Sequence, residues 1–309
     1  MASESSRVRA ALLTVQLIFA TWPVVAKLVL DTLEAFALAW IRIVFAAIFF
    51  GAIALTSKGP WPSLKEGLKI AAIGVMGTAL NQLLYLGGLQ HTEASHAAVL
   101  VTMIPVFAFV IALLTGREAF SPKRSLGVLL ALGGALSLTG IKPLLEGTSA
   151  ALGDALLVAN CAAYAFYLVY SKPYVKRYGT IKVLALAFGA SVFVAAPFGA
   201  PGVSTALLLD AKGALLLAYI LIAPTALAYL LNAWALRRAD ASTVAIYIYL
   251  QPIAGVLLAA NVLGDALDVR MIASAALIFT GIALVTRRKP TAAEPSEKRA
   301  ERPVVKKAE

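Results

Sequence analysis

Charged residues are scarce in this chain. Asp, Glu, Lys and Arg make up 14% of its 309 residues, whereas 61% are hydrophobic. A soluble domain carries about a quarter charged residues and under half apolar ones, so the scarcity excludes an ordinary soluble domain and indicates a membrane protein. The net charge of +11 lies mostly in short loops and the C-terminal tail. We therefore expect a lipid bilayer around the protein and no nucleic-acid partner.

Cysteine, histidine and intramembrane acids are also scarce. Cys161 is the single cysteine, which excludes an intrachain disulfide, and His91 and His96 are the two histidines. The acids Glu34 and Glu93 fall at the ends of apolar segments, and no acid is predicted well inside one. We expect no metal and no cofactor, and any proton coupling would pass through His96, because pumps usually relay protons through buried ionisable groups.

Long apolar runs are abundant. A helix needs about 20 mostly apolar residues to cross the hydrocarbon core of a bilayer, and the alternating pattern of a membrane β-barrel is absent. The sequence predicts an all-α integral membrane protein with ten transmembrane helices and short loops. The predicted helices are 8–29, 33–55, 68–89, 93–114, 123–141, 150–171, 180–198, 213–235, 241–263 and 269–286.

Basic residues are distributed unequally between the two faces of such a bundle. With the loops assigned alternately to the two sides, 22 of the 27 Lys and Arg residues share a side with both termini. Only Lys27, Lys142, Lys212 and Arg270 fall on the other side. Because cytoplasmic loops carry the excess of Lys and Arg, we expect both termini to be cytoplasmic.

Two stretches of the chain nearly repeat each other. "ASHAAVLVTMIPVF" begins at Ala94 and "ASTVAIYIYLQPIA" begins at Ala241, 147 residues later. Each stretch reaches a proline eleven residues after its start, at Pro105 and Pro252. The chain therefore contains the same unusual helix twice, with a helix-breaking residue near its middle.

The repetition extends to other helices. "TAL" occurs at 78–80 and again at 225–227, also 147 residues apart. A near-constant offset indicates a duplication, and we predict two five-helix domains, 1–145 and 146–288, followed by a disordered basic tail at 289–309. Because five is odd, the second domain enters the membrane from the opposite face. Inverted repeats are a transporter architecture with the site near the membrane midplane.

The sequence resembles the EamA-type branch of the drug/metabolite transporter (DMT) superfamily over residues 8–288. The similarity rests on the paired five-helix units, "TWPVVAK", "WIRIVFAA", the Ala-Ser…Pro pattern of the fourth and ninth helices, and "GRE" and "LGD" after them. Members of this branch include exporters of amino acids, aromatic ones among them, and of other metabolites. The resemblance implies a transporter of the bacterial inner membrane, not an enzyme, that works by alternating access.

The paired prolines lie near the expected midplane. Pro105 and Pro252 are each about twelve residues into a helix, ~18 Å along it at about 1.5 Å per residue. Proline removes one backbone hydrogen bond and frees the carbonyl four residues earlier, here of Val101 and Ile248. We favour matched hinges that line a cavity and flex during transport. The alternative is a pair of packing kinks satisfied by neighbouring helices.

Arg42 is the basic residue predicted deep inside a helix. A charge there costs at least ~2.5 kcal/mol, so we expect it to have a partner. One candidate is the carboxylate of a substrate. The other, which the resemblance favours because the family carries this arginine across many substrates, is a cluster of carbonyls at a helix C-terminus.

Twelve residues are predicted to line the central cavity. Thr78, Asn81 and Tyr85 share one face of the third helix, and Thr225 and Asn232 align with two of them in the eighth. The resemblance adds residues at depths where family members line their cavities. The full set is Trp22, Arg42, Thr78, Asn81, Tyr85, His96, Tyr164, Thr225, Tyr229, Asn232, Tyr247 and Gln251.

A neutral or zwitterionic amphipathic solute fits this set best. Cationic drugs are disfavoured because the glutamate of the small multidrug branch is missing from helix one. Multiply charged anions are disfavoured because they need more than one intramembrane cation, and the sequence predicts Arg42 alone. We expect export of amino acids or similar metabolites by a monomer or weak homodimer. The alternatives are a sugar or nucleotide-sugar carrier and, less favoured, a membrane-embedded enzyme.

Overall fold

A computed structural model describes residues 4–140, 143, 145–236 and 250–286, and no strand occurs in these ranges. The helices are α1 (Glu4–Leu30), α2 (Ala35–Thr56), α3 (Leu64–Leu89), α4 (Ala94–Leu114), α5 (Pro122–Thr139), α6 (Ser149–Tyr178), α7 (Thr180–Gly199), α8 (Ala211–Ile220, Leu221–Leu227 and Ala228–Leu236), α9 (Leu250–Leu263) and α10 (Val269–Thr286). A 3₁₀ segment, Ala200–Leu208, continues α7. The predicted all-α fold is confirmed.

Seven of these helices, α1 to α4 and α6 to α8, are long and apolar enough to cross a membrane. The other three predicted spans also coincide with helices. α5 begins with Pro-Lys-Arg, which lowers its mean hydropathy, and α9 and α10 are shorter apolar helices. The first nine residues of the predicted ninth helix, 241–249, and the predicted tail lie outside the described residues.

Helix packing follows the duplication. α2 packs against α7 and α5 packs against α10, and each of these pairs joins corresponding helices of the two halves. α1 packs against α9 and α8, just as its counterpart α6 packs against α4 and α3. Exchanging the halves therefore reproduces the packing pattern, as expected for two copies related by a pseudo-twofold axis.

Contacts at one end of the bundle, which we name the basic end, join the start of α3 and α7 to the ends of α6 and α2. Glu66 accepts hydrogen bonds from Arg177 (2.7 Å) and Tyr178 (2.5 Å). Lys182, only 2% exposed, donates to the carbonyls of residues 58–60 at 2.5–3.2 Å. The first helix of the second half therefore ends at the basic end.

The other end of the bundle, named the opposite end, holds the C-terminus of α1. Lys27, in the last turn of α1, donates to the carbonyls of Leu89 (2.7 Å) and Thr92 (2.8 Å). Thr92 in turn bonds Asp154, near the start of α6. Because α1 ends where α6 begins, the two corresponding helices run in opposite directions, and the predicted inversion is confirmed.

Three long helices are irregular at mid-length. α3 contains a π-helical segment, Met76–Leu80, and α8 contains another, Leu221–Leu227, so the repeated "TAL" lies in a π segment in both halves. Single-turn π segments are rare and often mark functional sites. α4 contains a 3₁₀ turn, Val101–Met103, just before Pro105.

The distortion expected at Pro105 is present, but the Val101 carbonyl is not left free. It accepts from the amide of Ile104 through the 3₁₀ turn, which offsets the hydrogen bond that proline cannot donate. The corresponding carbonyl of Ile248 lies outside the described residues. The hinge role of Pro105 and Pro252 stays a prediction.

Candidate functional site

A cavity lies between the two halves, where the irregular segments of α3, α4 and α8 face α1, α2 and α6. Its volume is about 200 Å³, whereas one water needs only about 10–15 Å³. The structure places eight of the twelve predicted residues on its wall: Trp22, Arg42, Asn81, Tyr85, Tyr164, Thr225, Tyr229 and Gln251.

Arg42 is the charged residue of this wall, and it is only 8% exposed. Its Nε donates to the Thr225 hydroxyl at 3.1 Å, and its guanidinium carbon lies 3.8 Å from the centre of the Trp22 ring. Within the described ranges, no Asp or Glu oxygen lies within 4.0 Å of the guanidinium. Among the described residues, a hydroxyl and an indole contact Arg42 in place of the favoured cluster of carbonyls.

The π segment of α8 positions Thr225. Its hydroxyl donates to the carbonyl of Ile220, five residues earlier, at 2.8 Å, and its remaining lone pairs face Arg42. A hydroxyl is one donor and two acceptors, so Thr225 can satisfy its own helix and still accept from the arginine. Within this π segment, Thr225 therefore bonds its own helix and accepts from a buried cation at the same time.

Aromatic rings form much of the remaining wall. Trp22 stacks on Tyr85 with ring centres 5.7 Å apart. On the α7–α8 side, Tyr229 meets the rings of Phe19 and Phe188 edge-on, each at 6.4 Å. Offset stacks and edge-to-face pairs at these distances are the favoured aromatic geometries, so the rings form a rigid, mostly apolar surface beside the cation.

Amide side chains supply the other polar atoms, and two of them, Gln82 and Asn160, are absent from the predicted set. Asn160 Nδ2 donates to the backbone carbonyl of Asn81 at 2.7 Å. Gln82 Oε1 is buried without a hydrogen-bond partner in the described structure. The sequence held a signal for each: Gln82 is 147 residues before Tyr229, and Asn160 precedes Tyr164 by one helical turn.

The structure places Thr78 outside the cavity. Its hydroxyl contacts the Gly74 carbonyl (2.8 Å) and the Ser191 hydroxyl, so that it ties α3 to α7. Its helical spacing with Asn81 and Tyr85 suggested a shared face, but Thr78 lies inside the π segment Met76–Leu80, whose wider turn rotates it away from that face. The side chain of Asn232 and the whole of Tyr247 lie outside the described residues.

His96 is likewise placed outside the cavity, beside an acid that the sequence analysis overlooked. Asp154 is 1% exposed, and both of its oxygens are 3.1 Å from His96 Nδ1. Asp154 is not among the acids that the sequence analysis considered, and it lies five residues after the start of α6. Burial depends on the neighbours α4 and α5, which distance along the sequence does not reveal.

Known proteins resemble this chain over nearly its whole length. An uncharacterized transporter of Archaeoglobus fulgidus is 25% identical over 288 residues, covering 92% of this chain and 99% of the relative. The uncharacterized transporter YdfC of Bacillus subtilis is 25% identical over 218 residues, covering 70% of each. A WAT1-related protein of Arabidopsis thaliana is 24% identical over 321 residues, covering 92% of this chain and 82% of its own length.

The fold and the family model agree with these similarities. A crystal structure superposes with a TM-score of 0.57 at 18% identity, covering 92% of this chain and 97% of its own, which supports the fold. The model of the EamA-like transporter family matches twice, at residues 9–140 and 151–287, once in each half. With inverted halves around a central cavity and a family match over most of its length, this chain belongs to the EamA-like transporter family of the DMT superfamily.

Proposed function

We propose that this transporter exports amino acids, aromatic ones included, or similar small zwitterionic or neutral metabolites, by alternating access between its two halves. The observation that carries the proposal is Arg42, a cation on the cavity wall with no carboxylate among its described neighbours. The direction of transport rests on the resemblance to amino-acid exporters.

A substrate carboxylate would complete the surroundings of Arg42. A buried charge in a membrane costs at least ~2.5 kcal/mol, and a desolvated cation–π contact returns about 2 kcal/mol. Trp22 covers one face of the Arg42 guanidinium, and Thr225 accepts from its Nε. The described structure shows no hydrogen bond from the two terminal guanidinium nitrogens. Those nitrogens form the edge that carboxylates bind in a bidentate manner.

The rest of the wall suits an amino acid. Gln82 lines the cavity, and its buried amide oxygen has no hydrogen-bond partner in the described structure. Because a buried acceptor without a donor costs about 1–3 kcal/mol, we propose that this oxygen turns toward the ammonium group of a bound substrate. The aromatic pairs Trp22–Tyr85 and Phe188–Tyr229 offer flat apolar surface to a side chain. One cation matches one carboxylate, which disfavours the multiple charges of a nucleotide sugar.

Alternating access is supported by where the irregular segments lie. The π segments Met76–Leu80 and Leu221–Leu227 occupy corresponding positions, and each contributes to the cavity wall. Weakened helix geometry at matched points allows each half to bend next to the substrate. We further propose that Pro105 and Pro252 act as the hinges of α4 and α9.

The setting we propose is a bacterial inner membrane with both termini in the cytoplasm. The excess of Lys and Arg on the basic end supports this orientation. The proposed partners are the substrate and the lipid bilayer, with the protein a monomer or weak homodimer.

Counterflow in proteoliposomes tests the function. Proteoliposomes of the purified protein are loaded with one unlabelled solute at a time, and uptake of the same labelled solute is compared for phenylalanine, leucine, glucose and a nucleotide sugar. We expect saturable counterflow of amino acids alone. Counterflow confined to sugars or nucleotide sugars would replace the proposed substrate with the alternative one.

The Arg42→Gln variant tests the role of the cation. A hydrogen bond to a charged group contributes about 1.5–3 kcal/mol, so the half-saturation concentration should rise roughly 10- to 150-fold at 1.4 kcal/mol per tenfold change. Arg117→Gln is the matched control, because Arg117 also makes one hydrogen bond (to the Val169 carbonyl, 2.7 Å) and one ring contact (Tyr170, 4.4 Å), but at the basic end. Equal effects of the two variants would remove Arg42 from the binding site.

A further inference from the structure

The strongest unassigned cluster of titratable groups lies at the opposite end, around Asp154. The Asp154 carboxylate accepts from the hydroxyls of Thr92 and Thr139, each at 2.7 Å, and both of its oxygens are 3.1 Å from His96 Nδ1. These partners come from α5, α4 and the loop before α4. One buried carboxylate thus holds the first half of the protein to α6 of the second half.

The arrangement fixes which imidazole atom exchanges protons. An ionised carboxylate only accepts hydrogen bonds, so Nδ1 of His96 carries hydrogen toward Asp154. Within the described residues, Nε2 has no hydrogen-bond partner, and the His96 side chain is 21% exposed whereas that of Asp154 is 2% exposed. Nε2 is therefore the atom that a proton can reach and leave.

Other charged groups at this end have their own partners. Asp265, in the loop after α9, accepts from the Ser95 amide at 2.9 Å, and Glu93 accepts from the Ser95 hydroxyl at 3.2 Å. The charged and titratable groups described around this cluster are Asp154 on α6, Glu93 at the start of α4 and Asp265 after α9, with Lys27 and Asp31 on α1 and its loop, His91 before α4 and Arg270 on α10 farther along the same end. α5 contributes the uncharged Thr139.

The cluster is close to the cavity along α4. His96 precedes Val101, a residue of the cavity wall, by five positions, which is ~7.5 Å at about 1.5 Å per residue. At the same end, Lys27 joins α1 to the end of α3 and to the loop before α4, and Asp265 joins the loop after α9 to the start of α4. Movement of α4 away from α6 would therefore open the cavity on this side.

We propose that His96 and Asp154 form a proton-binding site that is filled from the opposite end and whose protonation holds that end of the cavity closed. The His96 imidazolium neutralises the buried Asp154 carboxylate, so the closed packing of α4 on α6 carries no uncompensated charge. Loss of the proton leaves that charge buried alone, which is costly, and favours separation of the helices. Transport by the proposed function is then linked to a proton gradient.

Cysteine labelling tests the site without a substrate. In a Cys161→Ser background, Val101→Cys places a thiol on the cavity wall, and an impermeant maleimide is added on the opposite-end side of reconstituted vesicles. The same protein with His96→Gln gives the intrinsic pH dependence of the thiol reaction. Relative to that reference, we expect labelling to slow roughly tenfold between pH 8 and pH 5.5.

His91→Gln is the matched control. His91 lies at the same end, but its Nδ1 contacts the Ser149 hydroxyl at 2.9 Å and it makes no hydrogen bond to Asp154 in the described structure. The slowing of labelling at low pH should persist in His91→Gln and be lost in Asp154→Asn. Asp154→Asn can replace His96→Gln as the reference if His96→Gln does not fold. An identical pH profile with and without His96, or loss of the response in His91→Gln alone, would overturn the proposal.

The labelling result is independent of what the protein transports. It rests on the proposed alternating access but not on the amino-acid substrate, because no solute is present. Failure of amino-acid counterflow with a His96-dependent labelling profile would discard the substrate and keep the proton site. The reverse outcome, counterflow with a labelling profile that does not depend on His96, would discard the site alone.

Discussion

The two "TAL" segments are the same in sequence and differ in what their threonines do. Thr78 and Thr225 both lie in π segments and both donate to a carbonyl of their own helix. Thr78 also contacts Ser191 of α7 and is turned away from the cavity, whereas Thr225 accepts from Arg42 of α2 and lines it. Duplication thus supplied two similar π segments. Only the second meets a cavity-lining arginine, because α2 presents Arg42 to Thr225 whereas α7 presents Ser191 to Thr78.

Gly77, in the π segment of the first half, lies directly against Tyr167 of α6, so an added methyl group at Gly77 should have the largest effect. An added Cβ would lie 2.2 Å from Cγ of Tyr167, and overpacking of this kind costs about 1–3 kcal/mol or more. We expect Gly77→Ala to lower the melting temperature and folded yield in detergent. Gly51→Ala, with no atom within 4 Å of the new Cβ, should stay within about 1 kcal/mol, and a similar loss there would refute the packing argument.

The two threonines should separate stability from transport. Thr78→Val leaves the buried Ser191 hydroxyl without this partner and should cost about 1–3 kcal/mol of stability, with the half-saturation concentration changed less than about twofold. Thr225→Val removes the acceptor of Arg42 and should raise that concentration roughly 3- to 10-fold. Melting curves and counterflow kinetics of both variants test whether Thr78→Val mainly lowers stability and Thr225→Val mainly weakens substrate binding. Equal changes of stability and of half-saturation concentration in the two variants would contradict this prediction.

Gln82 and Tyr229 occupy matched positions, 147 residues apart, and both line the cavity. Gln82→Leu removes the unpartnered oxygen, and loss of one neutral hydrogen bond of about 1 kcal/mol should raise the half-saturation concentration for amino acids about fivefold. Tyr229→Phe keeps the aromatic ring and should change the half-saturation concentration less than about twofold. Counterflow kinetics decide the comparison, and a larger effect of Tyr229→Phe would move the ammonium site to the second half.

Much of the site was accessible from the sequence because it follows helix position. Tyr85 was predicted from its spacing on the third helix and Trp22, Tyr164 and Tyr229 from the family resemblance, and the structure puts all four on one cavity wall. The sequence analysis failed where contacts with neighbouring helices decide the outcome, in the placement of Thr78 and in the burial of Asp154. Thr78 rotates away within a π segment, and Asp154 is buried only because α4 and α5 cover it.

The sequence alone determined an all-helical membrane protein built from two inverted halves, because apolar length sets helices in lipid and the odd number of helices in each half sets inversion. The tertiary structure decided which polar groups meet: Arg42 with Thr225 and Trp22, His96 with Asp154, and Thr78 with Ser191. These partners are 20 to 183 residues apart along the chain. Periodicity fixes the face of a helix that a residue occupies, but only packing fixes the helix that this face meets.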